Sequence, residues 1–303
     1  MGVVEARELG KEYPRVRALD QLSVDIPGGA VGLLGQNGAG KSTLIKILLG
    51  FVAPTSGQVR VLGLDPATAA LEIRQRIGYM PEVESFIPGM GAVDYVYLAA
   101  RLTGLPHTDA MQRTHAVLNY VGLHEERYRR VGTYSTGMKQ KVKFAQAIVH
   151  HPKLLLLDEP TTGLDPRARE EMLHLIRDVA HGKGIDVVLS THILHDVEVV
   201  CDHVVILHQG RLVAQDDLAK LTSAKEAAYD LRVKGDRALF LAALREEGIE
   251  GKAAEDEEEV RLLHGDGTEP ILRAAVKSGI QIRKLARAQN SLEALFTRLV
   301  GGS

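Results

Sequence analysis

The chain is nearly without cysteine. One residue, Cys201, occurs in 303, which excludes an intrachain disulfide and fits a reducing compartment. Nothing around it suggests a reactive thiol, so it reads as a small buried hydrophobe. No run of about 18 apolar residues exists, so no segment is expected to cross a bilayer as a helix. The start, Met1-Gly2-Val3-Val4-Glu5, lacks a basic region followed by an apolar core, and no myristoylation pattern follows Gly2; neither a secretory leader nor that lipid is expected. A net charge of −2 argues against a protein that coats nucleic acid. Internal repeats and low-complexity segments are missing too. These absences leave a soluble, cytoplasmic chain whose length suggests about two domains and ample core, and any membrane role needs a partner.

What is present centres on residues 33–43, Leu33-Leu34-Gly35-Gln36-Asn37-Gly38-Ala39-Gly40-Lys41-Ser42-Thr43. They contain the pattern G-x-x-x-x-G-K-[ST], a phosphate cradle in which glycines let successive backbone N–H groups converge on an anion. Lys41 then reaches the β- and γ-phosphates and the Ser42 hydroxyl can ligate Mg²⁺. The flanks agree. Residues 30–34 suit a buried strand, residues 43–49 have helical apolar spacing, and a helix starting near Gly40 points its positive end at the phosphates.

Upstream, Leu22, Val24 and Ile26 alternate with polar residues as on a half-buried strand that ends at Pro27-Gly28-Gly29. Tyr13, on the loop before that strand and followed by Pro14, is available for an adenine to stack on. Downstream, a turn at Pro54-Thr55-Ser56-Gly57 precedes strands at 58–63 and 77–82, and helical spacing predicts helices over 92–103, 108–121 and 137–150. After Pro152 strands return at 153–157 and 185–190 with a helix over 167–181 between them. Buried strands separated by helices imply a mostly parallel sheet with its site at the strands' C-terminal ends. The phosphate loop, Asp158-Glu159 and Ser190-Thr191-His192 all fall at such ends and are expected to share one pocket.

Residues 215–227 read as a connecting helix and linker. The tail then gives strand 229–234, helix 236–247, a hairpin over about 249–264, helix 269–278, strand 280–285 and helix 291–299, the order of a split βαβ, ferredoxin-like unit. The acidic run 255–259 reads as a solvated hairpin turn. The expected domains are residues 1–220, with a helical subdomain at about 85–150, a linker at 221–228, and a small α+β domain at 229–303.

Asp158 after four leucines has the pattern of a metal-ligating acid at a strand end, and Glu159 follows it directly. Side chains alternate along extended backbone, so the pair divides its work: one binds Mg²⁺, the other addresses the attacking water as a general base. Here the chain resembles an ATP-binding cassette (ABC) ATPase over residues 3–215. Tyr13 matches the adenine-stacking aromatic, residues 35–43 match Walker A, and residues 154–159 match Walker B. Tyr134-Ser135-Thr136-Gly137-Met138-Lys139-Gln140 matches the signature loop, Gly163-Leu164-Asp165-Pro166 the D-loop, and His192 the switch histidine.

The resemblance implies a P-loop NTPase core with a mostly parallel sheet, an antiparallel β subdomain and a helical subdomain. It implies ATP and Mg²⁺ as ligands, with Lys41 and His192 on the phosphates, Glu159 on the water, and Ser42, Asp158 and Glu82 as metal candidates. It also implies a head-to-tail homodimer in which Ser135, Gly137 and Asp165 act in trans, and a separate transmembrane permease that holds the chain peripherally on the inner face of the cell membrane. Ser135 has a physical role besides: it can cap the helix that follows and leave an anion site of free N–H groups.

Two positions depart from the commonest pattern. Glu82 stands where many relatives have glutamine, and Met138 where many have glutamine after the signature glycines; both variants, and the C-terminal extension closing with 290–296, resemble the export branch. The alternatives are a soluble ABC ATPase acting on nucleic acid or ribosomes, and a module that binds ATP without hydrolysing it. The first usually carries two cassettes or a coiled-coil or zinc insert, none of which is seen here, and no nucleic acid is expected. The second requires a lost base, whereas Glu159 and His192 are present. His150-His151 lacks a metal-ligand context, and Arg127, Arg129, Arg130, Lys139, Lys141 and Lys143 read as a solvated basic face. Phe86, Tyr95 and Tyr97 fall where the family docks its membrane partner; Tyr95 and Tyr97, two apart on a helix, cannot share a face, so one can pack in the core while the other faces a docking groove.

Overall fold

The protein is described from a computed structural model covering residues 2–84, 86–222, 229–253, 259–262, 268–287 and 292–300. It forms two units, Met1–Leu218 and Ala219–Ser303. In the first, β1 (Val4–Tyr13) and β2 (Val16–Ile26) form a hairpin turning at Pro14-Arg15. β3 (Ala30–Leu34) then leads through the phosphate loop into α1 (Lys41–Leu48), followed by β4 (Ser56–Val61), α2 (Pro66–Arg76) and β5 (Ile77–Met80). Three helices follow, α3 (Ala92–Leu102), α4 (His107–Tyr120) and α5 (Thr136–Ile148). Then come β6 (Leu154–Asp158), α6 (Pro166–Arg177), β7 (Asp186–Thr191), α7 (Leu194–Val200), β8 (His203–His208) and β9 (Arg211–Asp217), and α8 (Leu218–Thr222) begins at the boundary with the second unit.

Every residue of β3 and β6 is buried, which is why these strands read as unbroken apolar runs rather than alternating ones. They lie inside a six-stranded sheet of order β5-β6-β7-β3-β8-β9, parallel except where β9 pairs antiparallel with β8. Register brings Leu34 beside Thr191 and Asp158 beside Ser190, so the loops after β3, β6 and β7 leave the sheet at one edge. A separate antiparallel sheet of order β2-β1-β4 shares a core with α1 and the near face of the parallel sheet.

Three readings need correction. Tyr13 is the last residue of β1, not part of a loop, because the half-buried alternation of β1 is broken by register shifts that hide its periodicity. Residues 215–217 belong to β9; an edge strand whose residues are exposed or half-buried carries the polar composition of a linker. Helix α2 escaped sequence reading because only Pro66 and Ile73 are buried, too few for an apolar stripe. Its local signal was nonetheless present: the Asp65 carboxylate caps the Ala67 N–H at 2.8 Å with proline at the first helical position.

In the second unit the order is β10 (Tyr229–Lys234), α9 (Arg237–Glu246), β11 (Gly251–Ala253), β12 (Glu259–Leu262), α10 (Glu269–Ser278), β13 (Gln281–Arg287) and α11 (Leu292–Val300). The sheet is antiparallel in the order β11-β12-β10-β13. Tyr229, Leu231 and Val233 alternate inward from its central strand onto Phe240 and Ile271 of the helices. Residues 255–258 of the acidic run, and 223–228 of the expected linker, lie outside the described residues.

Candidate functional site

The shared edge of the parallel strands carries a cleft of about 510 Å³. Its floor is the loop after β3, where Gly38 and Gly40 have φ of +83° and +103°, a region open to glycine at little cost. A Cβ on Gly40 would lie 2.6 Å from the Ala18 carbonyl oxygen, so that turn admits no side chain. The turn delivers the chain into α1, whose first N–H groups have no partner within the helix. Gly38, Ala39, Gly40, Lys41, Ser42 and Thr43 line the cleft together with Asn37, and Tyr13 stands at its rim, 38% exposed, with the Lys11 ammonium 5.2 Å from its ring centre. Gly35 and Gln36 contribute through their carbonyls: buried Lys41 Nζ donates to them at 2.6 and 3.4 Å.

Facing the cradle is Glu159, 6% exposed and at a φ of +50° that few non-glycine residues adopt. Its N–H donates to Ser190 O at 2.9 Å, which fixes the loop after β6 to the end of β7. Carboxylate Oε2 lies 2.9 Å from His192 Nδ1 and accepts from the Thr162 hydroxyl at 3.3 Å. The other oxygen, Oε1, is buried 3.5 Å from Lys41 Nζ and has no hydrogen bond. Asp158, immediately before, accepts from Ser190 Oγ at 2.9 Å. One acid is therefore tied into the sheet end while its neighbour turns into the cleft.

These residues suit a nucleotide's phosphate chain with a divalent cation. A cradle closed to a Cβ at Gly35 and Gly40, a buried ammonium, an orphaned carboxylate oxygen beside it, the hydroxyl of Ser42 in the cleft lining and the carboxylate of Asp158 at the end of β6 are donors and acceptors of the kind such a group requires. Glu82 also lines the cleft. Among the described residues no cluster of three or more His, Cys, Asp or Glu forms a protein-only metal cage.

Ser135, Gly137 and Asp165 are not among the cleft-lining residues of the same chain. They gather instead at the paired N-termini of α5 and α6. Ser135 Oγ accepts the Met138 N–H at 3.3 Å, Asp165 Oδ1 accepts the Ala168 N–H at 2.9 Å, and a Cβ on Gly137 would sit 3.2 Å from Ala168 Cβ.

A second concavity, about 600 Å³ and largely apolar, lies on the far side of the Glu82 segment. Phe51, Val83 and Leu102 border it while 57%, 74% and 78% exposed, and Tyr79, Pro81 and Gln146 complete its walls. None of Phe86, Tyr95 and Tyr97 lines it. Phe86 and Tyr95 pack edge to face at 5.0 Å, and the Tyr97 hydroxyl lies 2.6 Å from His107 Nδ1; each aromatic is satisfied locally. Burial, reinforced by Asp158 and Glu82, pushes the Tyr79 hydroxyl up to about 12. His150 also borders this groove, with Nε2 3.1 Å from Ile77 O, and burial lowers its pKa.

The basic cluster is not one solvated face. Lys143 is 1% exposed and donates to the Glu82 carbonyl at 2.9 Å. One turn earlier, Lys139 pairs with Glu84 at 2.9 Å, and Lys141 on another face pairs with Glu171 at 2.8 Å. Sequence reading missed Lys143 because a lysine among lysines looks exposed. The available signal was its place three residues after Gln140 and four before Ala147, on the buried face of α5. Thr162, another cleft residue, carried no signal beyond lying three residues after Glu159.

Comparisons with known proteins point to one family. The ABC transporter family profile matches residues 19–162. The chain is 33% identical over 302 residues to the bacitracin transport ATP-binding protein BcrA of Bacillus licheniformis, covering 99% of this chain and 98% of that protein. It is 30% identical over 307 residues to the linearmycin resistance ATP-binding protein LnrL of Bacillus subtilis, covering 99% and 98%. A solved ATP-binding subunit of an ABC transporter superposes with a TM-score of 0.65 at 33% identity, over 72% of this chain and 91% of its own. With a glycine loop, Lys41, Glu159 and His192 converging at one sheet edge, the chain belongs to the ATP-binding, ATP-hydrolysing subunits of ABC transporters.

Proposed function

We propose that this subunit powers export through a separate permease, working as a head-to-tail pair of identical chains. The observation that carries the reading is the segment Pro81-Glu82-Val83. Its alternate residues border two different concavities, Pro81 and Val83 the apolar groove and Glu82 the nucleotide cleft. An exposed apolar groove on a chain with no membrane-spanning helix among its described residues suits a partner's amphipathic segment. Relatives named for bacitracin transport, linearmycin resistance and Nod factor export support the export direction.

In this reading ATP is the substrate. Tyr13 stacks the adenine, and the 35–43 loop with α1 holds the phosphates. Ser42, Asp158 and Glu82 are the residues that would hold Mg²⁺, which supplies positive charge to phosphate oxygens. Lys41 neutralises the β- and γ-phosphates, and Glu159, oriented by His192 and Thr162, accepts a proton from the attacking water. His192 contacts the γ-phosphate, and Ser135, Gly137 and Asp165 of a second copy complete the opposite side. The test is a tagged pull-down from detergent-solubilised membranes of the source organism, with Glu159→Gln, ATP and Mg²⁺. Recovery of a chain with several transmembrane spans supports the reading; recovery of soluble partners alone, with the bait absent from membranes, refutes it.

A further inference from the structure

Asp196 takes no part in the chemistry above, yet among the described residues it is the one charged residue with no exposure at all. It lies in α7, one helical turn beyond His192. Both carboxylate oxygens are engaged: Oδ2 accepts from the Thr161 hydroxyl, and Oδ1 accepts from Arg169 Nε at 2.8 Å and Nη2 at 2.5 Å. Thr161 follows Glu159 by two residues. Arg169 follows Asp165 by four, one turn into α6. A single buried carboxylate thus ties together the segments bearing Glu159, His192 and Asp165.

We propose that Asp196 is a positioning residue for ATP hydrolysis: through Thr161 and Arg169 it sets the register of Glu159 and His192 against each other and against the start of α6. The inference rests on the hydrolytic role proposed for Glu159. Those three segments are loops and helix ends, the parts of a fold with the least intrinsic rigidity. The Glu159 N–H to Ser190 O bond and the Glu159 to His192 contact, both 2.9 Å, join two of them to each other, but neither reaches α6, so a further tie is needed to hold that pair against the helix bearing Asp165. An ion pair at such a place is not required for stability, because a well-packed apolar pair often replaces a buried salt bridge at no loss. What an apolar pair cannot reproduce is the directional fork of Arg169 and the hydroxyl of Thr161 on one carboxylate.

The experiment uses the full chain and measures ATP turnover, binding of a fluorescent ATP analogue, and thermal unfolding. Asp196→Asn and Thr161→Val are compared with the double variant Arg169→Met/Asp196→Leu, which removes the charges together and guards against a simple failure to fold. The expected result is a fall in kcat of ~100-fold for Asp196→Asn, the scale of a modest misplacement of a reacting group, with KM and analogue affinity changed less than ~2-fold. The double variant should melt within a few degrees of the parent and still show the low kcat. A double variant that melts normally and turns over at the parental rate overturns the inference, as does a kcat loss that only tracks the unfolded fraction. A parental chain that binds ATP without hydrolysing it overturns the proposed hydrolytic role of Glu159, and this inference with it; normal parental turnover with unaffected variants removes the role of Asp196 alone.

Discussion

Replacing Lys143 with methionine gives a stability change whose size and pH dependence follow from its surroundings. Burial lowers the ammonium from its ordinary 10.5 to about 8, against the opposing pull of Glu84, Glu82 and Asp158. The unfolded chain holds this proton up to pH 10.5, the folded chain only to about 8. Between those values unfolding takes up a proton, so the residue's contribution is most favourable above 10.5 and is lost as pH falls, levelling off below about 8. At ~1.4 kcal/mol per pH unit, that interval amounts to ~3 kcal/mol. Methionine, similar in length and uncharged, carries no such proton. The unfolding free energy of Lys143→Met minus that of the parent should therefore be ~3 kcal/mol more positive at pH 7 than at pH 10.5. The lost hydrogen bond to the Glu82 carbonyl moves the whole difference curve by ~1 kcal/mol and leaves its slope intact. Equilibrium urea unfolding in EDTA, at pH steps from 7 to 10.5, reads the difference directly, since the transition of residues 219–303 is common to both proteins. A difference that stays flat across that range would refute the argument and mean that the folded protein keeps Lys143 at its ordinary pKa.

Two further outcomes concern the cleft. Glu159→Gln keeps the shape of the side chain and its place beside Thr162 but removes the proposed base, so ATP binding should persist, turnover should fall by ~10²- to 10⁴-fold, and a closed dimer should accumulate on a sizing column with ATP and Mg²⁺; full turnover excludes Glu159 as the base. Lys41→Ala removes the buried ammonium that faces Glu159 at 3.5 Å, so a titration with ATP should show weakened affinity, and unchanged binding would count against the cradle.

The cleft was legible in the sequence because its parts sit at the ends of buried strands. Four leucines before Asp158 and the apolar run before Thr191 announce parallel strands, and a parallel sheet puts their ends together without any further information. Glycines at positive φ likewise have one chemical reason to stand at Gly38 and Gly40. What the sequence concealed was amphipathic only in part or not at all. Helix α2 buries too little to show a stripe, and β9 is polar because it is an edge. The buried charges were hidden for a different reason: the partners of Lys143 and Asp196 are 61 and 27 to 35 residues away in the chain, and no local pattern states that a charged residue will be met by a distant carbonyl, guanidinium or hydroxyl.

The same distant pairings bear on how a groove and a cleft on opposite sides of one segment can communicate. Residues 81–83 border both concavities, and a bend this short cannot shift on one side and stay still on the other, because neighbouring side chains share one backbone. Helix α5 holds that segment from behind. Lys139 grips Glu84, Lys143 grips the Glu82 carbonyl, and Gln146, three residues further on the same face, enters the groove wall. Ser135 caps the other end of that helix. In the proposed docking, a partner pressing into the groove would bear on Val83 and Gln146 at once, the first adjoining Glu82 in the cleft and the second lying on the helix that Ser135 caps. The hydrogen bond that fixes the helix to the segment is made by the lysine whose burial is costly, and a costly charge at that junction is better explained by the direction of its hydrogen bond than by any gain in stability.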